Sequence, residues 1–364
     1  MTNQKPRVLA AVDLLLARIK VNGKSLSMLR LQWWLVIVLT RLFGSSVQIE
    51  GGERKSLRLL PIVWRKKLYL LGSEHEALQI DYTSPYTLRV KVAPFWALSE
   101  GVAIQPGART SRVHVVLSHL PPEKTDIILN HLATLAGNSY ALILAYGGTA
   151  KNFDAIRYAR KIFIADNKLR GLGYRQSYFC LMDAVATYLK KEGIDPEWVF
   201  ISDYDLLPLR NDYLADLIAL MEKCGAGFGA KLIQDVSLSN KFFLTNAIND
   251  GIMDRMPMLN GSGKQPVSHC LGCAMLFHRD CFDAVRQMKS DFEDMYFEIA
   301  LPTAAGLKGF RLLSIDKHTN AFQHVRYRPI YSYADALHLA RDGAAFIHPI
   351  KDIAEFIPAV RASA

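Results

Sequence analysis

The residues best suited to chemistry are two aspartates, Asp203 and Asp205, which follow a short apolar run. Residues 198–201 are apolar and lie between the turn-forming residues 193–196 and the polar Ser202, which predicts a short buried strand. Side chains two positions apart in an extended chain point to the same side, so both carboxylates would lie at the strand's carboxyl end. They repel each other unless a cation lies between them, and oxygen ligands suit Mg²⁺ or Mn²⁺. The pair therefore predicts a divalent-metal site, with a solvated surface turn as the alternative.

The elements that must position this pair alternate between short apolar runs and longer amphipathic stretches. The predicted strands cover residues 113–117, 140–145, 161–165, 198–201, 225–231, 270–278 and 310–314. The predicted helices cover residues 125–136, 174–191, 213–223, 279–288 and 292–300. Strands joined by helices of this length predict an α/β fold with a mostly parallel, Rossmann-like sheet and helices on both faces. Ligands bind at the carboxyl edge of such sheets, where Asp203 and Asp205 are expected.

Two stretches depart from this alternation. Residues 1–110 contain two apolar helical patterns, over 8–19 and 27–43, followed by short β-rich runs, which predicts an N-terminal extension of helices and then strands. Residues 111–364 then form the main domain. Basic residues flank the second helical pattern, so residues 1–45 would either lie on an anionic membrane surface or pack on the main domain or a second subunit. The Gly- and Asn-rich residues 234–265 predict a substrate-facing loop.

The composition limits the class of partner and the compartment. With 44 basic and 34 acidic residues the net charge is +10, which favours an anionic partner such as a nucleotide or a phosphorylated lipid surface. The basic residues are spread along the chain without a recognisable nucleic-acid module, so no nucleic-acid partner is expected. Five cysteines give no disulfide framework and favour a reducing compartment. There is no signal-peptide pattern, and the apolar stretch 31–39 is too short to span a bilayer, so a cytoplasmic location is expected.

The motifs of residues 112–351, taken in order, resemble those of nucleotide-sugar-dependent glycosyltransferases of the A-type (GT-A) fold. Asp203 and Asp205 look like the family's DxD element, which holds a divalent cation against the diphosphate of the donor. Gly272 looks like the small-residue strand that closes over the donor sugar. Asp166, which follows the third predicted strand, is placed like the acid that contacts the nucleoside.

The resemblance also implies catalytic and phosphate-binding residues. Glu293 and Asp294 look like the acidic element at the start of a helix where inverting members keep their general base, and Asp294, the second acid, is preferred. Stabilisation of a helix end is the alternative for this pair. His348 resembles the late histidine that completes the metal shell, with His324 in reserve, and Lys351 resembles a lysine near the phosphates.

The function implied is transfer of a sugar from a nucleotide sugar to a hydroxyl of a glycan or glycolipid in surface polysaccharide synthesis. A UDP-sugar is favoured because UDP donors commonly accompany DxD members of the family. The chemistry needs positive charge against the departing diphosphate, from Mn²⁺ or Mg²⁺ and Lys351, and a base such as Asp294 for the acceptor hydroxyl. The alternatives are a retaining enzyme of the same fold, a phosphatase with an aspartate nucleophile, and a non-catalytic scaffold.

Cys270 and Cys273 also suggest a zinc site, with His269, His278 or Cys281 as further ligands. Structural zinc sites usually bring a second spaced pair, which this sequence lacks, so burial of both cysteines in a strand is favoured. No glycine-rich phosphate loop of the P-loop or dinucleotide-binding kind is present, which argues against those enzyme classes.

Overall fold

A computed structural model gives the fold of this chain. It describes six strands between residues 46 and 92, residues 99 and 101–104, and residues 112–164, 177–236, 241–259, 266–350 and 353–357. The chain divides into two compact units, Met1–Pro94 with Ser237–Lys241, and Phe95–Val236 with Phe242–Ala364. The two helices predicted within residues 1–45 lie outside the described residues.

The first unit contains two antiparallel sheets. β1 (Ser46–Gln48) pairs with β2 (Arg54–Ser56), and β3 (Leu60–Trp64), β4 (Lys67–Leu71), β5 (Ala77–Asp81) and β6 (Arg89–Val92) form a sheet in chain order. Only two residues join β3 to β4, a length typical of tight hairpins. The short β-rich runs predicted from the sequence are therefore present.

The second unit is built on a seven-stranded sheet, whose strands are β7 (Arg112–Ser118), β8 (Ala141–Tyr146), β9 (Lys161–Phe163), β10 (Trp198–Asp203), β12 (Phe228–Asp235), β13 (Ser268–His278) and β14 (Leu312–Ser314). Their order is β14-β12-β13-β10-β7-β8-β9, and only β13 runs antiparallel to its neighbours. A separate ladder pairs β11 (Leu207–Pro208) with β15 (Phe346–Ile347). The mostly parallel α/β sheet predicted from the sequence is confirmed.

The helices are α1 (Pro122–Ala136), α2 (Ala150–Ala155), α3 (Ser177–Lys191), α4 (Ala215–Cys224), α5 (Lys241–Asn249), α6 (Ile252–Leu259), α7 (Arg279–Arg286), α8 (Lys289–Phe292), α9 (Phe297–Leu307) and α10 (Tyr333–Arg341), with short 3₁₀ turns at Ile315–Lys317 and Asn320–Phe322. Among the described helices, none combines the length and apolar character needed to cross a bilayer.

Helices pack on both faces of the seven-stranded sheet, as predicted. Phe200 lies in one buried cluster with Leu217 of α4, and Leu144, which shares that face by its register, lies in another with residues of α1. Phe277 pairs with a neighbour of Phe200 and so points to the opposite face, where it contacts Phe282 of α7 with ring centroids 5.8 Å apart. Strand β10 is thereby buried on both sides, which holds its carboxyl end in place.

Two sequence predictions near this edge are wrong. The helix predicted over 292–300 is two helices, α8 and α9, because Tyr296 takes an extended conformation between them. The predicted loop 234–265 contains α5 and α6, separated by Gly251 in a left-handed conformation (φ 71°). Buried apolar residues at helical spacing, Leu244 and Ala247, hold α5 despite the turn-forming composition around it.

Candidate functional site

A cavity of about 380 Å³ lies at the carboxyl ends of β7 and β10. This is the edge at which open α/β sheets bind ligands, and the volume falls in the range of small-molecule pockets. The residues that line it are Leu117, Ser118, His119, Tyr178, Asp203, Tyr204, Asp205, Leu271, Cys273, Tyr296, Phe297, Glu298, Tyr327, Arg328, Ile330, His348 and Pro349. Charged and aromatic side chains are therefore concentrated at one position in the fold.

Asp203, Asp205 and His348 come together in this cavity. Each offers one ligand atom, and these atoms all lie within 4.8 Å of one another. Asp203 is the last residue of β10, and the chain then turns so that Leu206 donates its N–H to the Asp203 carbonyl at 3.2 Å. The sequence predicted all three as metal ligands, and the fold places them where one ion can reach all of them.

The histidine reaches the aspartates through a local ladder of the chain. Strand β11, which follows the aspartates directly, pairs with β15, which directly precedes His348. The N–H of Ile350 also donates to the carbonyl of Asp205 at 3.2 Å. Two segments far apart in sequence are thus fixed side by side by backbone hydrogen bonds.

The orientation of His348 suits metal binding. Its Nδ1 donates to the carbonyl of Arg326 at 2.7 Å, since a carbonyl oxygen can only accept, and its Nε2 lies 3.3 Å from Oδ1 of Asp205. Such a bond from the second ring nitrogen to a carbonyl fixes the tautomer that leaves the other nitrogen for a metal. Two carboxylates and one imidazole are a donor set that Mn²⁺ accepts. The residues present therefore fit the divalent cation that the DxD pattern implies.

The electrostatics of this group also favour a cation. Burial by itself lowers the pKa of His348, but the neighbouring Cys273 and the hydrogen bond and charge of Asp205 raise it above its ordinary value. Burial raises the pKa of Cys273, so the Asp205 carboxylate is the stronger source of negative charge beside the ring. A metal ion would take the place of that proton, because metal binding and ligand protonation compete.

A third acidic residue, Glu298, also lines the cavity, and the sequence motifs did not predict it. It lies in the first turn of α9 and is 8% exposed. Its Oε1 accepts the N–H of Gly272 at 2.6 Å, and its Oε2 accepts the hydroxyl of Tyr296. Burial raises the pKa of Glu298 to about 7, with the charge of Asp203 in the same direction and the two hydrogen bonds opposing it. A buried carboxyl with a pKa near neutrality is typical of functional sites.

Gly272 explains how Glu298 is placed. A Cβ at position 272 would lie 2.3 Å from Cε2 of Phe297 and 2.8 Å from Cγ of Glu298. Only glycine therefore allows β13 to approach the start of α9 so closely. Gly272 does not line the cavity, and its observed contribution is the N–H that holds Glu298.

Glu293 and Asp294, the predicted catalytic acids, lie in the turn between α8 and α9 and do not line the cavity. The carboxylate of Asp294 is 52% exposed and pairs with Arg255 of α6 at 2.9 and 3.3 Å. Arg255 also donates to the carbonyl of Asp291 at 2.9 Å. The described contacts of Asp294 thus connect α6 to this turn, and its catalytic role stays a prediction.

The sequence carries a signal for Glu298. The pair Phe297-Glu298 repeats the pair Phe292-Glu293 five positions earlier, and the predicted catalytic acids, Glu293 and Asp294, lie at the first pair. Only Glu298 stands within an otherwise apolar run, residues 295–301. Burying an acid among apolar residues is costly, so an acid within an apolar run indicates a functional role. The neighbouring residues therefore favoured Glu298 over Glu293 as a site residue.

The remaining predicted site residues divide into three cases. Asp166 and Lys351 lie outside the described residues, and their predicted contacts to nucleoside and phosphate stay predictions. His324 does not line the cavity, but its carbonyl accepts the N–H of His348 at 3.1 Å. Cys273 lines the cavity beside His348 whereas Cys270 does not, and burial raises the pKa of both thiols.

Comparison with known proteins gives matches of structure only. No protein-family model matches the chain, and no curated protein sequence matches it. Solved structures that it resembles include an active-site mutant of LgtC, at 14% identity over 69% of this chain and 95% of that one with a TM-score of 0.34. A mannosyltransferase, PcManGT from Pyrobaculum calidifontis in complex with GDP-Man and Mn²⁺, matches at 14% identity over 73% and 77% of the two chains with a TM-score of 0.33.

A third solved structure, apo mouse xyloside xylosyltransferase 1, matches at 14% identity over 55% of this chain and 82% of that one, with a TM-score of 0.30. At these identities and TM-scores the likeness assigns neither an activity nor a residue role. The function is therefore argued from the cavity itself.

Proposed function

We propose that this protein is a metal-dependent glycosyltransferase that moves a sugar from a nucleotide-sugar donor, favouring a UDP-sugar, to a hydroxyl of a glycan or glycolipid acceptor. One observation carries the proposal. Asp203, Asp205 and His348 converge at the carboxyl edge of the sheet, in a cavity that also holds the buried carboxyl of Glu298. Transfer from a diphosphate donor needs positive charge at the leaving group, which a cation site supplies, and a carboxyl with a pKa near neutrality can serve as the base of an inverting transfer.

The three converging residues would hold Mn²⁺ or Mg²⁺. When bound, the ion supplies positive charge against the oxygens of the departing diphosphate. Asp205 and His348 are almost fully buried, which keeps water from competing for their ligand atoms. Lys351, three residues after His348, is the predicted phosphate contact, and Asp166 is the predicted nucleoside contact.

Glu298 is the acid that the cavity offers as general base for an inverting reaction. Its two hydrogen bonds, from Gly272 and Tyr296, fix the carboxyl, and its pKa of about 7 allows it to accept a proton at neutral pH. Asp294 remains the second candidate, from the resemblance of its motif. A retaining reaction on the same scaffold would need no general base for the acceptor, so variants at these two positions also distinguish the two stereochemical outcomes.

Calorimetry of UDP binding in the presence of MnCl₂ tests the metal site. Asp203→Ala and Asp205→Ala should each weaken binding at least about tenfold, because each removes a charged ligand of the ion. Asp154→Ala is the matched control, since Asp154 is an exposed aspartate on α2 away from the cavity. Equal affinity in all four proteins would contradict the proposal. The same titration with GDP tests the preference for uracil.

The two histidines form a second matched pair. His348→Ala should weaken Mn²⁺-dependent UDP binding by about 10- to 100-fold, as expected for loss of one metal ligand, whereas His324→Ala should change it little. A larger loss of affinity in His324→Ala than in His348→Ala would indicate that His324 is the metal ligand. Hydrolysis of p-nitrophenyl phosphate that depends on Asp203 would favour the phosphatase alternative instead.

The cellular setting proposed is the cytoplasmic face of the membrane, in surface polysaccharide synthesis. Its basis is the sequence of residues 1–45, whose apolar helical patterns carry flanking basic residues suited to an anionic surface or to a second subunit. Sedimentation with anionic vesicles tests the membrane contact, and the molar mass in solution tests the dimer. A monomer that does not sediment with vesicles would remove both roles.

A further inference from the structure

We propose that the rim segment, residues 327–330, is the acceptor subsite of this cavity, and that it binds a pyranose ring bearing an acidic group. The inference rests on the proposed function and deepens it, because it locates the acceptor and states its chemistry. Three observations carry it: the exposure of the segment, the way the fold holds it, and the chemical types of its side chains.

The rim segment exposes apolar side chains at the mouth of the cavity. Tyr327 is 71% exposed and Ile330 is 50% exposed, and both line the cavity. The other large apolar side chains left exposed in the described part of the chain, Val102, Ile127 and Phe242, do not line it. A single exposed apolar residue is ordinary, but two on one side of a ligand cavity indicate a binding surface.

The segment is held in place by the metal-binding part of the fold. Nε of Arg326 donates to the carbonyl of Pro329 at 2.7 Å, and its guanidinium lies 3.5 Å from the centroid of the Tyr331 ring. The N–H of Tyr331 donates to the carbonyl of Pro349 at 3.1 Å. The N–H of Arg326 donates to the carbonyl of His348, and His348 donates back through Nδ1.

These bonds attach both ends of the rim segment to His348 and its neighbour. Tyr327 and Ile330 are therefore presented to solvent by a preorganised loop rather than by a free one. Preorganisation reduces the entropy that a ligand must overcome, so a loop of this kind favours binding even through a small contact area.

The chemical types of the side chains in the rim segment indicate which ligand fits. The face of a tyrosine ring packs well on the C–H face of a pyranose, and an aromatic side chain provides this area at low entropic cost. Arg328 lies between the two apolar residues in the sequence, and its guanidinium lies over the Tyr327 ring, 5.5 Å from the ring centroid. A guanidinium remains charged at all working pH values and pairs well with a carboxylate or a phosphate.

Because the diphosphate of the donor would lie in the interior of the cavity, the rim segment is available to the acceptor. The diphosphate of the donor belongs at Asp203, Asp205 and His348, which are buried or half-buried in the interior of the cavity. A second substrate must then approach from solvent over the exposed side, which Tyr327, Arg328 and Ile330 form. The acidic group can come from a sugar acid or from a sugar phosphate, as in a glycolipid head group, and both share the same charge.

Saturation-transfer NMR tests the subsite, with UDP and MnCl₂ present at saturation. The probes are a methyl hexopyranoside, a methyl hexuronide and a hexose 1-phosphate, each in the gluco and the galacto form. Wild type should transfer saturation most strongly to the acidic probes. Comparison of the hexuronide with the hexose 1-phosphate distinguishes a sugar acid from a sugar phosphate. Tyr327→Ala should weaken binding of every probe by about three- to tenfold, and Tyr327→Phe should retain it. Arg328→Gln should remove only the preference for acidic probes.

The controls separate this proposal from the proposed function. Ile127→Ala removes an exposed apolar side chain on α1 and should bind all probes like wild type. Calorimetry with UDP and MnCl₂ should give the same affinity for all variants. Loss of UDP affinity in Tyr327→Ala would overturn the acceptor subsite, because it would show that the Tyr327 ring contacts the nucleotide. Wild type that binds UDP with Mn²⁺ but no probe, or equal probe binding in Tyr327→Ala and Ile127→Ala, would overturn the subsite alone. Failure of wild type to bind either UDP or GDP in the presence of MnCl₂ would overturn the proposed function.

Discussion

Two acidic regions of this chain have similar sequence contexts and different surroundings in the fold. Asp203 and Asp205 follow a buried strand and meet His348 in a cavity, whereas Asp294 lies in a half-exposed turn and pairs with Arg255. In both regions an acid lies next to an apolar run, at the end of a predicted strand for Asp203 and Asp205 and near the start of a predicted helix for Asp294. The difference lies in what the rest of the chain brings to each carboxylate, a histidine ring at one and an arginine of α6 at the other.

Glu298 makes the contrast sharper, because it stands only four residues from Asp294. Glu298 is buried, lines the cavity and has a pKa raised to about 7 by burial. Asp294 is exposed, and its carboxylate forms a salt bridge with the guanidinium of Arg255. An extended residue, Tyr296, lies between them and turns the chain so that one acid faces the cavity and the other faces α6.

The largest expected effect comes from exchanging each acid for its amide. Glu298→Gln should lower the rate of sugar transfer by about 10²- to 10⁴-fold while UDP still binds, because the proposed general base is removed without loss of volume. Asp294→Asn should lower the rate much less, since its carboxylate faces Arg255. Turnover of a nucleotide sugar with Mn²⁺, measured as UDP release, gives both values. Near-normal turnover in Glu298→Gln with strong loss in Asp294→Asn would indicate that Asp294, the residue that the motif predicts, is the general base.

A smaller effect is expected on stability as the pH changes. The pKa of Glu298 is raised from 4.5 to about 7 in the folded chain, so the folded state holds a proton that the unfolded state has lost between these values. The stability from this group is therefore fully present below pH 4.5 and is lost as the pH rises through about 7. Across that window the loss is on the order of 3 kcal/mol, and it vanishes in Glu298→Gln.

Urea unfolding of both proteins without divalent metal, at about pH 5 and about pH 8, measures this difference. Wild type should lose more stability than Glu298→Gln between the two conditions. Asp294→Asn serves as the control and should follow the pH dependence of wild type. Parallel profiles for wild type and Glu298→Gln would show that the folded carboxyl titrates like an exposed one.

The smallest expected effect concerns the pair between Asp294 and Arg255. The two side chains are 52% and 35% exposed, so solvent screens much of their attraction. Asp294→Ala and Arg255→Ala should each lower the free energy of unfolding by less than about 1 kcal/mol, and the double variant by no more than their sum. Thermal unfolding measures this. A much larger cost would mean that the position of α6 depends on this pair.

The strand-borne part of the site was predictable from local sequence. An apolar run followed by Asp203 and Asp205 predicted a strand over 198–201 with both carboxylates at its carboxyl end, and β10 begins at Trp198 and extends two residues further, to Asp203. The histidine was predictable only through the family motif, because several histidines in this chain follow apolar residues. His348 was the preferred one, and it is the one that the fold brings to the aspartates.

The helix-borne part was not predictable in the same way. The sequence indicates helix near 292–300, but the position of the break at Tyr296 depends on contacts from distant segments. The N–H of Tyr296 donates to Asp250 at 2.8 Å, and its ring packs near Phe242 and Phe243 of α5. Because α5 lay in a stretch predicted as loop, these contacts could not enter the prediction, and the inward-facing Glu298 was not identified.

The sequence by itself determined the class of sheet, the strand β10 and the position of Asp203 and Asp205 at its end, because burial and alternation act between residues close together in the chain. The tertiary structure decided which histidine and which acid complete the cavity, and which apolar residues of the rim segment stay exposed at its mouth. Those choices depend on the β11–β15 ladder and on the contact of Gly272 with α9, both of which join segments that are distant in the sequence. Their energies come from packing and hydrogen bonds that exist only once the chain has folded.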